Sequence, residues 1–159
     1  MPLMAERDSP ELEMYKKHTG LPVELVDLKE TLNRPGLGGC VKIMFIAEPE
    51  VQAALRPRLD ERLDGLAYIA QTHRTFLEVM DAKASKGKGL KIAMDYLSLE
   101  SQEVIAFGDE ENDLPMFTVA DFSAAPSNAK DAVKAQADIV LGSNTDDGVA
   151  AFLEEFFGL

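Results

Sequence analysis

The run Val104-Ile105-Ala106-Phe107-Gly108 constrains the fold more than any other part of the chain. It is short, wholly apolar and closed by glycine, as strands buried on both faces are, and such strands belong to parallel sheets covered by helices. Helical and strand patterns alternate around it. Lys86–Leu97 carries Leu90, Ala93, Met94 and Leu97 on one helical face. Asp113–Val119 reads as a short helix, Phe122–Ala125 as a strand, Asn128–Gln136 as a helix behind a Ser127-Asn128 cap, and Ile139–Leu141 as a strand. The last helix starts at Asn144-Thr145-Asp146-Asp147, where acids suit the positive end of the helix dipole. This alternation predicts an α/β fold, a parallel sheet with flanking helices.

The residues before position 83 follow another pattern. Val41–Ala47 reads as a strand, Glu50–Leu63 as a helix, and Leu66–Thr72 and Thr75–Met80 as two strands joined by a tight connection at His73-Arg74. Pro57 is expected to break the helix in two. Met1–Thr31 is polar with weak periodicity, though Ser9-Pro10-Glu11 has the form of a helix cap, and 33–39 is turn chemistry. The expected division is therefore 1–82, a small α+β unit, and 83–159, the α/β unit.

Charge narrows the partners. The 159 residues hold 28 acids against 16 bases, a formal net charge of −12. That balance disfavours a broad grip on nucleic acid or on anionic lipid, since neutralising phosphates needs clustered Lys and Arg. No apolar run approaches the roughly 20 residues of a membrane span. The single cysteine, Cys40, forms no internal disulfide, and the expected setting is cytoplasmic. Cys40, His18 and His73 lack neighbours at catalytic or metal-ligand spacing and read as incidental.

Two stretches carry chemistry. Directly after the buried strand, Asp109-Glu110-Glu111-Asn112-Asp113 packs four carboxylates into five positions. Such crowding must be relieved by solvent, a helix N-terminus or a cation. In open α/β sheets ligands sit beyond the carboxyl ends of strands, where Asp109 falls, and Mg²⁺ prefers a few carboxylates together with substrate phosphate. Helix capping accounts for Asn112 and Asp113 equally well, but not for Asp109. The second stretch, Lys83 to Lys91, has four lysines and no acid, and opens a helix. Cations there oppose the dipole by about 0.3–1 kcal/mol each. A local rule broken in one place suggests an anion site, and a solvated basic turn is the plain alternative. One helix and one strand separate the stretches, so Lys86 and Asp109 can reach the same sheet edge, as phosphoryl transfer requires.

Ser85-Lys86-Gly87 followed by Gly108-Asp109-Glu110-Glu111-Asn112-Asp113 resembles the third and fourth motifs of the haloacid dehalogenase superfamily, and more narrowly its Cof-type phosphatases. Asn128-Ala129, Ala137-Asp138 and Ser143–Ala150 extend the match over most of 83–159, and residues 41–80 are similar to the second half of the family's C2 cap. The resemblance implies a Mg²⁺-dependent phosphatase acting on small phosphorylated metabolites such as sugar phosphates. It implies Asp109 as metal ligand, Lys86 as the group neutralising phosphate and nucleophile, and Asn112 as a phosphate contact. Asp113 would support metal-bound waters or position Lys86.

The family's opening Asp-x-Asp-Gly-Thr has no counterpart here. The nearest imitation, Leu63-Asp64-Gly65-Leu66, puts Arg62 where the nucleophile belongs. The expectation is a partial core with a cap remnant, inactive alone. It would self-associate or pair with a chain carrying the other half, because a missing central strand leaves an apolar sheet edge. A non-catalytic relative that binds metal or phosphate weakly is the alternative.

Overall fold

The computed structural model describes residues 3–36 and 39–159. Leu37 and Gly38, within the expected 33–39 turn, lie outside the described residues. Strand β1 (Leu3–Ala5) pairs in parallel with β2 (Val23–Leu25), and helix α1 (Pro10–Thr19) crosses between them. The Ser9 side chain caps α1 by accepting from the Leu12 N–H at 3.2 Å, as the sequence leads one to expect. The strands themselves carry no readable signal, because three residues are too few to show a period of two. Tyr15 on α1 meets Phe76 edge to face at 5.6 Å, which ties this segment to the sheet that follows. A one-turn helix, α2 (Leu28–Leu32), follows behind an Asp27 cap.

Next come β3 (Lys42–Ile46), α3 (Pro49–Leu63), β4 (Ala67–His73) and β5 (Phe76–Asp81), the strands forming an antiparallel sheet in the order β3-β5-β4. Helix α3 runs unbroken through Pro57, contrary to expectation. Proline deprives the carbonyl four residues back, that of Ala53, of its partner. Both residues are exposed, so water can serve that carbonyl. Beside them, one turn apart, Gln52 and Arg56 pin the helix: Gln52 Nε2 donates to Ala47 O at 2.8 Å and Arg56 Nη2 to Ile69 O at 3.2 Å. Ala70 and Leu77 are buried beneath.

Residues 82–85 are the described connection from this antiparallel unit to the next. Helix α4 (Lys86–Leu97), β6 (Ile105–Phe107), α5 (Leu114–Phe117), β7 (Phe122–Pro126), α6 (Asp131–Lys134), β8 (Ile139–Leu141) and α7 (Gly148–Phe157) complete the chain. Strands β6, β7 and β8 form a parallel sheet in that order, with Ile105 opposite Phe122 and Ala125 opposite Val140. The predicted helix over 128–136 shrinks to α6, and the one over 113–119 divides into a 3₁₀ turn, Glu111–Asp113, and α5. A 3₁₀ turn, Asn144–Asp146, likewise precedes α7.

The core of this unit is Ala125, Ala129 and Val133, with Leu114, Phe117 and Ala137 packed against it. Small residues there let the helices sit close to the sheet. A polar clamp joins β7 to the entry of β8: Ser123 N–H and Oγ both donate to Asp138 Oδ2, at 2.8 and 2.6 Å. Among the described residues β6 pairs only with β7, so its other edge is free. No helix among the described residues is long and apolar enough to cross a membrane.

Candidate active site

The acidic loop leaves β6 through Gly108, and only glycine fits there. A Cβ on Gly108 would stand 2.4 Å from Asp113 Cβ, so its absence lets the loop fold back on itself. Asp113, 4% exposed, then closes the loop. Its Oδ2 accepts from the Asp109 N–H at 3.0 Å and the Glu110 N–H at 3.1 Å, and its Oδ1 takes the Lys86 ammonium. Lys86 reaches it because Gly87 lets α4 lie directly on the Pro115 carbonyl; a Cβ at Gly87 would come within 2.2 Å of that oxygen. The lysine that opposes its own helix dipole is thus held by a buried carboxylate while its side chain stays about half exposed, at 48%.

The crowding of four carboxylates is relieved mostly by protein cations. Lys86 takes Asp113. Lys130 Nζ lies 2.6 Å from Glu110 Oε2, an ion pair whose angles do not make a hydrogen bond. Arg56 grips Glu111 with both ends of its fork, Nη2 to Oε1 at 2.9 Å and Nη1 to Oε2 at 3.1 Å. Burial alone would raise the Glu111 pKa. The Arg56 hydrogen bonds, the Gln71 N–H at 3.1 Å and the charges of Arg56 and Lys130 together outweigh it and hold the carboxyl below its usual range. Arg56 is raised in turn, chiefly by its hydrogen bond to Glu111. Asp109, exposed, has no ion-pair partner among the described residues.

Neighbouring loops complete the rim. The Lys130 N–H donates to Asp109 O at 3.2 Å, fixing the loop after β7 to the acidic loop. Asn128 Oδ1 accepts from the Asn144 N–H at 2.9 Å and from Ser143 Oγ at 3.2 Å, tying in the loop after β8. All three loops therefore gather at the carboxyl end of the parallel sheet, where such folds bind ligands. Asn112 Oδ1 is buried beside them without a hydrogen-bond partner. Among the described residues no three His, Cys, Asp or Glu side chains converge on one point. The donors left free, the Asp109 carboxylate and Asn112 Oδ1, are hard oxygens. They fit a Mg²⁺ ion, which takes one or two carboxylates and completes its shell with water and phosphate.

The structure thus joins Lys86 to Asp113 and puts Asp109 and Asn112 on the same loop. Sequence reasoning missed Arg56, Gln71 and Lys130, which lie 40 or more residues from their partners across the chain or in an unremarkable turn. The one signal that could have found Arg56 and Lys130 was the acidic crowding itself, which required cations from elsewhere.

A parallel sheet with a strand-end aspartate that holds the first lysine of a neighbouring helix, beside a free carboxylate, is an α/β arrangement suited to an anion and a cation together, and sequence comparison gives its family. The profile of the haloacid dehalogenase-like hydrolases matches residues 10–153, and the chain belongs to that family. It is 34% identical over 141 residues to the 5-amino-6-(5-phospho-D-ribitylamino)uracil phosphatase YitU of Bacillus subtilis, covering 86% of this chain and 50% of that protein. It is 44% identical over 81 residues to the phosphoglycolate phosphatase of Archaeoglobus fulgidus, covering 51% of this chain and 36% of the relative. Among solved structures, TM0651 from Thermotoga maritima superposes with a TM-score of 0.73 at 31% identity, over 96% of this chain and 56% of that one. The chain spans about half the length, or less, of these relatives.

Proposed function

We propose that the chain supplies the lysine- and metal-bearing side of a Mg²⁺-dependent phosphatase site for small phosphorylated metabolites, sugar phosphates foremost. The observation that carries this reading is the division of labour in the acidic loop. Three of its carboxylates are matched by Lys86, Lys130 and Arg56, and Asp109 alone is left to meet a cation. Mg²⁺ at Asp109 would supply positive charge to the phosphoryl oxygens. Lys86, fixed by Asp113, would hold a second side of the phosphoryl group, and Asn112 would donate to it through its amide. Asp113 acts through Lys86: it orients the ammonium and keeps the loop closed, so that the site is arranged before substrate arrives.

The reading assigns residues 1–82 to a partial C2-type cap and 83–159 to the core. It takes the attacking carboxylate from outside residues 1–159 and pairs the free edge of β6 with a second chain; residues 1–159 by themselves are inactive. The setting is the cytoplasm. The test has two parts. Calorimetric titration with Mg²⁺ in the presence of orthophosphate should show binding that Asp109→Ala abolishes and Glu110→Ala keeps; equal losses in both would refute the metal assignment. Release of p-nitrophenol from p-nitrophenyl phosphate by purified residues 1–159 alone, absent in Asp109→Ala, would overturn the placing of the nucleophile outside these residues. A clean monomer by light scattering at high concentration would overturn the edge pairing.

A further inference from the structure

The antiparallel unit and the parallel unit are joined, in the described chain, by the single segment 82–85, and their most extensive meeting is β4 against the turn Glu111–Asp113. The side chains that cross between the two units hold the angle between them. Two of the three contacts converge on one residue. Glu111 receives the Arg56 fork from α3 and the Gln71 N–H from β4, so two elements of the antiparallel unit are held by one carboxylate of the acidic loop. Arg56 also donates to Ile69 O, which locks α3 to β4 at the same point. A second strand of the contact runs the other way: Lys130 Nζ, paired with Glu110, donates to Gln71 Oε1 at 3.2 Å. Beside the junction lies a cleft of about 360 Å³, bounded by Tyr68 and Ile69 on one side and by Leu114 and Pro115 on the other.

We infer that Glu111 is a positioning residue, the docking point that fixes the antiparallel unit over the acidic loop and so sets the width of the cleft between them. It acts through Arg56 and touches no ligand. Its neighbours give the arrangement a purpose. Asn112 and Asp113 follow Glu111 in the same turn, so a shift of the antiparallel unit is passed by one or two peptide units to the residue that holds Lys86. The inference concerns the posture of two units and does not depend on turnover.

Electron paramagnetic resonance distance measurements on the full chain test it. In a Cys40→Ser background, spin labels are placed at Arg58→Cys on α3 and Lys91→Cys on α4, both exposed and neither in contact with the junction. The parent pair should give one narrow distance distribution. Glu111→Ala should at least double its width, Arg56→Gln should do the same from the other side, and the exchange Arg56→Glu with Glu111→Arg should restore a narrow distribution. Asp60→Asn should leave the distribution unchanged, because Asp60 holds Arg56 only within α3, at 3.0 Å. Circular dichroism checks that each variant is folded; should Glu111→Ala fail to fold, Arg56→Gln and the exchange decide. A Glu111→Ala or Arg56→Gln distribution that superposes on the parent's overturns the inference, as does an Asp60→Asn distribution as broad as theirs.

Discussion

Two glycines stand two residues apart on α4, and the same substitution should act on them with opposite sign. Nothing lies within 4 Å of a Cβ built on Gly89. Alanine there is worth about 0.5–1 kcal/mol, because glycine in a helix forfeits more backbone entropy on folding. Gly87→Ala carries the same gain, but its Cβ would meet Pro115 O at 2.2 Å, Pro115 C at 2.6 Å and Pro115 Cβ at 2.8 Å. Two of these atoms are backbone, so no rotamer change relieves the overlap, and α5 must move off α4. Overpacking of this kind costs about 1–3 kcal/mol, and the upper part applies where backbone must shift. Net of the helix gain, Gly87→Ala should destabilise by about 1–2 kcal/mol, and the two variants should differ by roughly 2–3 kcal/mol. Equilibrium urea unfolding reads this directly as midpoints moving in opposite directions at constant slope. Midpoints moving in the same direction would refute the assignment of Gly87 to a steric contact between the helices.

Other expectations follow from single contacts. Pro57→Ala restores the α3 hydrogen bond to Ala53 O and should stabilise by about 2 kcal/mol, after allowing for the freer unfolded chain; an unchanged thermal midpoint would contradict it. Asp113→Asn turns one acceptor into a donor, facing either the Lys86 ammonium or the Asp109 and Glu110 N–H groups, and should destabilise by about 1.5–3 kcal/mol, discounted because Lys86 can turn to water. Urea unfolding checks it, and an unmoved midpoint would show that Asp113 does not close the loop. The Ser123 hydroxyl, and then its N–H, hold the Asp138 carboxyl below its ordinary 3.8. A depressed carboxyl contributes its full stability above the unfolded value and loses it as the pH falls through the folded one. The thermal midpoint should therefore drop below about pH 4 in the parent, and Asp138→Asn should lack that part of the fall. Parallel pH profiles would contradict it.

What the sequence revealed, and what it hid, divides by the range of the interactions. The strand at Ile105–Phe107 and helix α4 were legible because an apolar run and a helical period are written in consecutive residues, although only Ala106 of that strand is buried. The acidic loop and Lys86 were legible because their chemistry breaks local rules, acids crowded together and a cation at a helix N-terminus. Strands β1 and β2 were not, being three residues each and stabilised by pairing across an intervening helix. Pro57 misled because propensity describes an isolated helix, whereas Gln52 and Arg56 anchor this one from outside. The role of Glu111 was invisible because its partner is 55 residues away and nothing in the spacing links them.

That separation also sets an order of events during synthesis. The sheet β3-β5-β4 has all its strand partners within residues 42–81, so it can assemble before the acidic loop has been translated. The bonds from Glu111 to Gln71 and Arg56, and from Lys130 to Gln71, close over 40, 55 and 59 residues and must come afterwards. Until then the Arg56 guanidinium has Asp60, one turn along its own helix, as a resident counter-ion. The nascent chain thus carries its docking arginine already neutralised, and Glu111 joins a pair that has been waiting for it.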